Sequence, residues 1–148
     1  MSAATWVWSL VRWSSGATQP FGAQPQGTLV YTADGTMIAC FMRRDRAPLG
    51  PGMNAYREYL LGRGPLPPED AGELERRFAR SAMSFNAYSG RYSVEDTLVH
   101  HDVEIALFAD WIGKRLSRTF EIDQDRLALS FGVDKLTWSR RRDADPVL

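Results

Sequence analysis

Hydrophobic and polar residues alternate with a period of two through residues 84–107, SFNAYSGRYSVEDTLVHHDVEIAL. The alternation breaks at an acidic pair, residues 95–96, so the pattern predicts two adjacent antiparallel strands, each with one buried face. In the second strand the odd-numbered positions of 97–107 form the apolar face, which directs His101 inward and His100 outward. The inner face of the first strand is expected to carry Asn86, Tyr88, Gly90 and Tyr92. A polar and aromatic lining of this kind is typical of a ligand cavity rather than of a dry core.

Six further stretches have the composition of short strands with one apolar face. They cover residues 5–13, 28–32, 36–43, 111–122, 126–131 and 135–140. Asp34 and Gly35 separate the second of these stretches from the third and are the clearest hairpin signal, because glycine accepts the positive φ of a tight turn. In residues 111–122 the even-numbered positions are the more apolar ones. Arg118 is therefore expected to point inward among hydrophobic neighbours.

The remaining segments predict loops and helices. Residues 14–26 are rich in Pro, Gly and Gln and indicate a loop. Repeated Pro and Gly interrupt residues 44–68, which leave room for two helical turns over 54–61. Residues 69–82 begin with acidic and end with basic side chains, an order that matches the helix dipole and predicts a helix. We expect this helix to lie across one end of a barrel, where it could gate a pocket. The charged C-terminal tail, residues 140–148, is expected to be frayed.

About eight short antiparallel strands in sequence favour one mainly β architecture. An up-and-down barrel of about eight strands with one helix removes every exposed sheet edge, and a sandwich is the alternative. A barrel of roughly this size can hold one small ligand. The 148 residues are enough for a single domain over 1–148 and too few for two comfortable ones.

The charge and the composition of the chain argue against two classes of binding partner. The 18 basic and 18 acidic side chains balance, and the arginine clusters are short, so neither nucleic acid nor an anionic membrane is expected as a partner. The chain lacks an apolar run long enough for a membrane helix and a charged, apolar leader typical of secretion. A cytoplasmic location is the simplest interpretation, and a homodimer is left open.

The residues that usually carry metal or covalent chemistry are sparse. Cys40 is the only cysteine, which excludes an internal disulfide, and a buried inert thiol is favoured over a nucleophile. His100 and His101 are neighbours on a predicted strand, so their rings point to opposite faces and cannot readily share one ion. Phosphate-binding and dinucleotide-binding fingerprints are missing as well. We therefore expect no metal and no cofactor.

Several separated motifs together resemble a known family. In order they are TWVWSL, GTLVYTADGTM with MRRDR, AYSGRY, VHHDVEIALFADWIG, DRLALS and LTW. This series is similar to the bacterial lipocalin-like domain family of small stand-alone barrels over residues 5–138, and departs from it at Ala4, where a Gly would be expected. The resemblance implies a barrel with an internal small-molecule pocket. Barrels of similar size include cofactor-free enzymes such as allene oxide cyclase and polyketide cyclases, while others only bind their ligand.

The candidate site follows from the inward polar side chains. His101, Tyr88 and Arg118 are predicted as catalytic contacts, because a histidine with its ordinary pKa of about 6.5 exchanges protons at neutral pH and a tyrosine donates to a carbonyl. The predicted ligand-binding residues are Tyr92, Asn86, Tyr31, Trp6, Trp8, Phe120 and Trp138. The leading hypothesis is a cofactor-independent cyclase or isomerase of a small hydrophobic, carbonyl-bearing metabolite, polyketide-like or terpenoid-like.

Three other interpretations are open at this point. The same barrel would serve as a carrier or sensor that leaves its ligand unchanged. Residues 44–68 would serve as a partner-binding loop. Finally, Arg118 would stack on an aromatic ring and His101 would bond to a backbone carbonyl, with no ligand at all.

Overall fold

A closed antiparallel barrel forms most of the computed structural model, which describes residues 5–50, 53–65 and 71–142. The strands of the described residues are β1 (Trp6–Ser15), β2 (Gln26–Tyr31), β3 (Thr36–Met42), β4 (Phe85–Glu95), β5 (Leu98–Ala106), β6 (Arg115–Asp123), β7 (Arg126–Phe131) and β8 (Asp134–Arg140). Each strand pairs with its neighbour in sequence, and β8 pairs with β1. The predicted up-and-down barrel is confirmed, and the sandwich is not.

Two helices lie between β3 and β4 in sequence, α1 (Met53–Leu60) and α2 (Ala71–Met83). The chain divides into two compact units, residues 1–44 with 85–148 and residues 45–84. The helix predicted for 69–82 corresponds to α2, and its first two residues lie outside the described residues. That the whole chain is one domain stays a prediction.

The helical unit has its own small core. Tyr56 on α1 and Leu74 on α2 are buried, and the rings of Tyr56 and Phe78 lie 5.8 Å apart. Arg46 donates to the side-chain hydroxyls of Ser84, at 3.0 Å, and Ser81, at 2.8 Å. These contacts join the start of the unit to the end of α2.

The barrel core is built from the inward positions of the strands. Its most completely buried hydrophobic side chains are Trp8, Leu29, Met37, Ala39 and Trp138. The segment predicted as a plain loop adds Phe21, which is 7% exposed and packs edge-on against Trp13 at 4.7 Å. Apolar burial of this kind is the main favourable term in folding.

A β-bulge interrupts the pairing of β4 with β5. Ser89 pairs with Ile105 whereas Gly90 pairs with Val103, so Glu104 is an extra residue on β5. A Cβ at Gly90 would overlap the carbonyl oxygen of Asp102, and only glycine fits this position.

The bulge corrects one prediction about β5. An inserted residue reverses which positions face inward beyond it. Ile105 and Leu107 were expected inside, yet they are 69% and 41% exposed. Ala106 lies opposite Tyr88 instead and packs against the core.

The strand predicted for residues 111–122 begins later than expected. Residues Ala109–Trp111 form a single 3₁₀ turn, and β6 begins at Arg115. Gly113 adopts a positive φ of 78° and donates to the carbonyl of Val103 at 2.8 Å. The turn and the residues after it replace the first part of the predicted strand, and Ile112 is half exposed.

Candidate functional site

An apolar pocket opens at the end of the barrel where β1 begins and β2 ends. Its volume is about 180 Å³. We call it the end pocket; its lining residues are Trp6, Trp8, Tyr31, Tyr92, Val94, Val99, Phe120, Ile122, Leu127 and Leu129. Eight of these ten side chains are aliphatic or tryptophan and phenylalanine, and the other two are tyrosines, so the lining carries no ionisable group but phenol.

The end pocket has a buried floor and an exposed rim. Trp8 and Leu129 are buried, whereas Trp6 is 38% and both Val94 and Ile122 are 57% exposed. The rings of Trp6 and Trp8 stack with centroids 6.2 Å apart. The guanidinium of Arg140 lies 3.8 Å from the centre of a Trp6 ring, which holds that rim side chain in place.

A polar cluster lies next to the end pocket and is centred on His101. The Oη atom of Tyr31 lies 2.7 Å from Nε2 of His101, and the Oη atom of Tyr88 lies 3.1 Å from Nδ1. Both ring nitrogens are therefore hydrogen-bonded, and His101 has no exposed surface (0%). Tyr31 belongs both to this group and to the pocket lining.

Arg118 completes this group, which we call the His101 cluster: Tyr31, Tyr88, His101 and Arg118. Its strand position is opposite Val99, and its guanidinium carbon lies 3.9 Å from the centre of the Phe131 ring. The guanidinium donates to the carbonyl of Ser117 at 3.2 Å. Arg118 thus has the inward position predicted for it, with an aromatic face and a carbonyl oxygen as partners.

Burial keeps Tyr31, Tyr88 and His101 uncharged at neutral pH. Desolvation, with a smaller contribution from Arg118, lowers the pKa of His101 from 6.5 to about 3. Desolvation also raises the pKa of Tyr31 and the pKa of Tyr88 above 10.0. At neutral pH the imidazole is neutral, so the expectation that His101 exchanges protons near pH 6.5 is wrong.

The hydroxyl of Tyr92, the second tyrosine of the end pocket, is hydrogen-bonded to the backbone outside the pocket lining. The hydroxyl of Tyr92 donates to the carbonyl of Thr32 at 2.9 Å. Its ring packs against Tyr31 with centroids 4.7 Å apart. Tyr92 therefore contributes a ring surface to the pocket, whereas Tyr31 contributes a ring and a hydroxyl linked to His101.

The structure separates the predicted ligand-binding residues into two groups. Those that line the end pocket are Trp6, Trp8, Tyr31, Tyr92 and Phe120. Asn86 and Trp138 are buried but do not belong to its lining. Asn86 pairs with Phe41 toward the opposite end of the barrel, and the Trp138 ring packs edge-on against Phe41 at 6.1 Å. The three residues predicted as catalytic, His101, Tyr88 and Arg118, do not belong to the lining, and His101 is hydrogen-bonded to the lining residue Tyr31.

Half of the pocket lining was missed by sequence reasoning: Val94, Val99, Ile122, Leu127 and Leu129. The signal was present, because these residues share the inward parity of the predicted ones on β4, β6 and β7, and on β5 before the bulge. Alternation identifies a face, however, and does not show at which height along the barrel the side chains leave space.

A second depression of about 430 Å³ is lined mainly by β1, β2 and β3 together with Arg44, Phe85 and Arg141. The guanidinium of Arg141 donates to the hydroxyls of Ser9, at 2.7 Å, and Thr28, at 3.1 Å. Cys40 also lines it and is partly exposed, not buried as expected. Its lining is more polar than that of the end pocket.

Two kinds of site are missing from the part of the chain that the structure describes. Within residues 5–50, 53–65 and 71–142, no three His, Cys, Asp or Glu side chains are grouped as metal ligands. In the same part of the chain, the helices are too short and too polar to cross a membrane.

The family of the chain follows from a sequence comparison. A profile of the lipocalin-like domain matches residues 7–148, essentially the whole chain. The protein belongs to the lipocalin-like domain family. The resemblance in the sequence motifs is thereby confirmed, and a lipocalin-like barrel suggests binding of a small hydrophobic ligand. Comparison with curated proteins and with solved structures gave no significant match.

Proposed function

We propose that this lipocalin-like protein binds a small, largely apolar molecule in the end pocket and carries or senses it without changing it. The observation that carries the proposal is the pocket itself, a space of about 180 Å³ between aromatic and aliphatic side chains. Apolar cavities of about 150 Å³ stay dry and accept benzene. The end pocket has the size and the chemistry for a ligand built on one ring.

The pocket opening supports ligands that are longer than the buried part. Trp6, Val94 and Ile122 border the pocket and remain 38%, 57% and 57% exposed. An apolar tail would pass between these side chains and bury surface that is otherwise in water, at roughly 25 cal/mol for each Å² removed from water. We therefore expect affinity to rise with the length of an alkyl substituent.

Binding is favoured over catalysis by the state of His101. A general base must be near its working pH and within reach of the proton it removes. The pKa of His101 is lowered to about 3, both of its ring nitrogens are bonded to tyrosines, and it does not line the pocket. The pocket thus lacks a base suited to neutral pH among its lining residues.

The proposal is tested with toluene as the probe and methyl NMR as the readout. Toluene should shift the methyl signals of Val99, Leu127 and Leu129, which line the pocket. Val99→Phe places a ring in the pocket and should weaken toluene binding at least tenfold. Val133→Phe makes the same change at a turn residue that is 73% exposed, and should leave the affinity unaltered.

Two results would refute this assignment. The assignment fails if toluene, titrated to its solubility limit, shifts none of the methyl signals of the pocket lining. It also fails if Val99→Phe, shown to be folded by its spectrum, binds toluene as tightly as the unmodified protein, because toluene then binds elsewhere.

The second candidate is the cofactor-independent cyclase or isomerase expected from the sequence. Tyr31 favours it, because its hydroxyl joins the pocket to His101 and a single donor on a developing oxyanion contributes about 3 kcal/mol. Acetophenone in D₂O tests it. Faster exchange of its methyl protons with the protein than with Tyr31→Phe supports enolising catalysis, and no acceleration by either protein supports binding alone.

A further inference from the structure

We infer that the ligand of the end pocket ends in an anionic group, such as a carboxylate, and that Arg140 binds this group at the mouth of the pocket. The inference rests on the proposed binding function and specifies its ligand class. It follows from two arginines at inward positions of the barrel strands, and from where the acidic side chains around them lie.

Arg140 places a positive charge beside the rim of the end pocket. It ends β8, has the same inward parity as the buried Trp138, and pairs with the lining residue Trp8 on β1. Its guanidinium carbon lies 3.8 Å from the centre of a Trp6 ring, and Trp6 is a lining residue that is 38% exposed. A ligand group that emerges from the pocket past Trp6 therefore comes within reach of the guanidinium.

The positive charge of Arg140 is not balanced by a carboxylate next to it. Among the residues that the structure describes, no carboxylate oxygen lies within 4.0 Å of its guanidinium. Asp125 is adjacent, because the backbone N–H of Arg140 donates to the Asp125 carbonyl at 2.8 Å. The Asp125 carboxylate, however, is bonded to Arg142 at 2.5 Å. Two guanidinium groups and one carboxylate lie together here, which leaves one excess positive charge.

A second guanidinium belongs to an inward position of the barrel. Arg118 on β6 is two residues from Phe120 and opposite Val99 on β5, and both of these residues line the end pocket. Its guanidinium contacts the Phe131 ring and the Ser117 carbonyl. In the described part of the chain no carboxylate oxygen lies within 4.0 Å of it. Because charges act over longer distances where water is excluded, Arg118 adds to the positive potential of the pocket.

Acidic side chains at this end of the barrel lie on turns or on the outer face. Asp34 and Asp96 are exposed and belong to the hairpin turns that follow β2 and β4. Glu95 and Asp123 have outward parity on β4 and β6, and the Glu95 carboxylate lies 3.4 Å from Nε2 of His100. Charges that face water are screened within about 10 Å. These carboxylates are screened in this way, whereas Arg140 lies directly over a ring of the lining, so the mouth favours an anion.

The ligand class follows from the size of the pocket and the geometry of a guanidinium. A space of about 180 Å³ takes one ring, and a short alkyl chain passes between the exposed side chains of the rim. The planar guanidinium presents paired N–H donors that match the two oxygens of a carboxylate. We therefore expect an arylalkanoate, with its ring inside the pocket and its carboxylate beside Arg140. An ammonium group at the same end would meet a charge of its own sign.

The first experiment titrates the unmodified protein with the series from phenylacetate to 5-phenylpentanoate, each carboxylate paired with its amide. The amide has nearly the same shape and no charge. The methyl signals of Val99, Leu127 and Leu129 report binding in the pocket. At pH 7 the carboxylate should bind about two- to fivefold more tightly than its amide for at least one chain length, as is typical of exposed ion pairs. This preference should fall when NaCl is raised from about 0.02 M to about 0.5 M.

The second experiment repeats the titration with Arg140→Met, which removes the charge and keeps an aliphatic side chain beside Trp6. The preference for the carboxylate should be largely lost. Arg126→Met is the matched control, because Arg126 is exposed at an outward position of β7 at the same end of the barrel, and it should keep the preference. The readout is the ratio of two affinities within one variant, so a change in the Trp6 rim affects both members of a pair alike.

The outcomes separate this inference from the proposed function. If every carboxylate binds no more tightly than its amide, or if Arg140→Met keeps the preference, recognition of an anion by Arg140 fails while the pocket stands. A carboxylate that binds without shifting the pocket signals binds elsewhere, for example in the depression lined by Arg44 and Arg141, and also overturns the inference. If neither toluene nor any of these probes binds, the proposed function fails and the inference fails with it. The comparison in the unmodified protein needs no variant and remains decisive where Arg140→Met is poorly folded.

Discussion

Acid should destabilise this protein through His101. The folded state holds the imidazole neutral, because burial and Arg118 lower the pKa of His101 from 6.5 to about 3. The unfolded chain binds a proton at its ordinary pKa, so below pH 6.5 it carries more protons than the folded chain. The contribution of neutral His101 to the free energy of unfolding is complete above pH 6.5. It is lost as the pH falls toward 3.

The size of the effect follows from the two pKa values of His101. Each pKa unit corresponds to about 1.4 kcal/mol, so the interval from 6.5 to about 3 amounts to about 5 kcal/mol. A domain is stable by only about 5 to 15 kcal/mol in total. One histidine therefore accounts for a large part of the acid sensitivity, with a slope of roughly 1.4 kcal/mol per pH unit between about pH 6 and pH 4.

Urea unfolding followed by tryptophan fluorescence between pH 4 and pH 8 measures this slope. His101→Gln removes the titrating ring and keeps an amide for one of the tyrosines. It should start less stable by about 1 to 3 kcal/mol, because one tyrosine hydroxyl loses its partner. Between pH 6.5 and pH 4, however, it should lose about 3 kcal/mol less than the unmodified protein.

His100→Gln is the matched control, since it removes the neighbouring histidine and keeps His101, so the slope supplied by His101 should remain. Equal slopes for His101→Gln and the unmodified protein would refute the reasoning. So would a ¹⁵N titration in which the ring of His101 in the folded protein takes up its proton near pH 6.5.

Three further substitutions test other parts of the structure. Phe21→Ala should cost about 3 to 5 kcal/mol in urea unfolding, because this loop side chain is 7% exposed within the barrel core. Gly90→Ala should cost more than about 3 kcal/mol, or abolish soluble expression, because its methyl group would overlap the backbone carbonyl of Asp102. Arg118→Met should raise the pKa of His101 measured by ¹⁵N NMR, because it removes a nearby positive charge; burial should still hold that pKa below 6.5.

Each of these variants has a control on an exposed or open position. Gln19→Ala lies in the same loop as Phe21 and should change stability by less than about 0.5 kcal/mol. A methyl group at Gly16 meets no atom within 4 Å, so Gly16→Ala carries only the cost of its positive φ. Arg126→Met removes an exposed charge and should leave the pKa of His101 as it is. A barrel variant no less stable than its control would contradict the corresponding argument.

Much of the fold was accessible from local sequence. Asp34 and Gly35 form the predicted hairpin turn between β2 and β3, with Gly35 at a positive φ of 86°. Period-two alternation placed Val99, His101 and Val103 on the buried face. These features depend on backbone stereochemistry and on the alternation of side chains along a strand, which act over a few residues.

Other features of the barrel were not accessible from local sequence. The bulge opposite Gly90 reverses the faces of Ile105 and Leu107, and nothing in their own alternation marks the inserted residue. Phe21 lies in a segment with loop composition, yet it packs in the core. Pairing register and packing between distant segments decide both cases.

The candidate site divides in the same way. The sequence by itself determined that His101, Tyr88 and Arg118 point inward and that aromatic side chains share that face, because strand alternation is a local property. Closure of the barrel decided the rest: it brought Tyr31 within 2.7 Å of His101 across 70 positions, left the end pocket beside them, and removed His101 from water. The pKa of His101 depends on that desolvation and on the distance to Arg118, which exist only once all eight strands are paired.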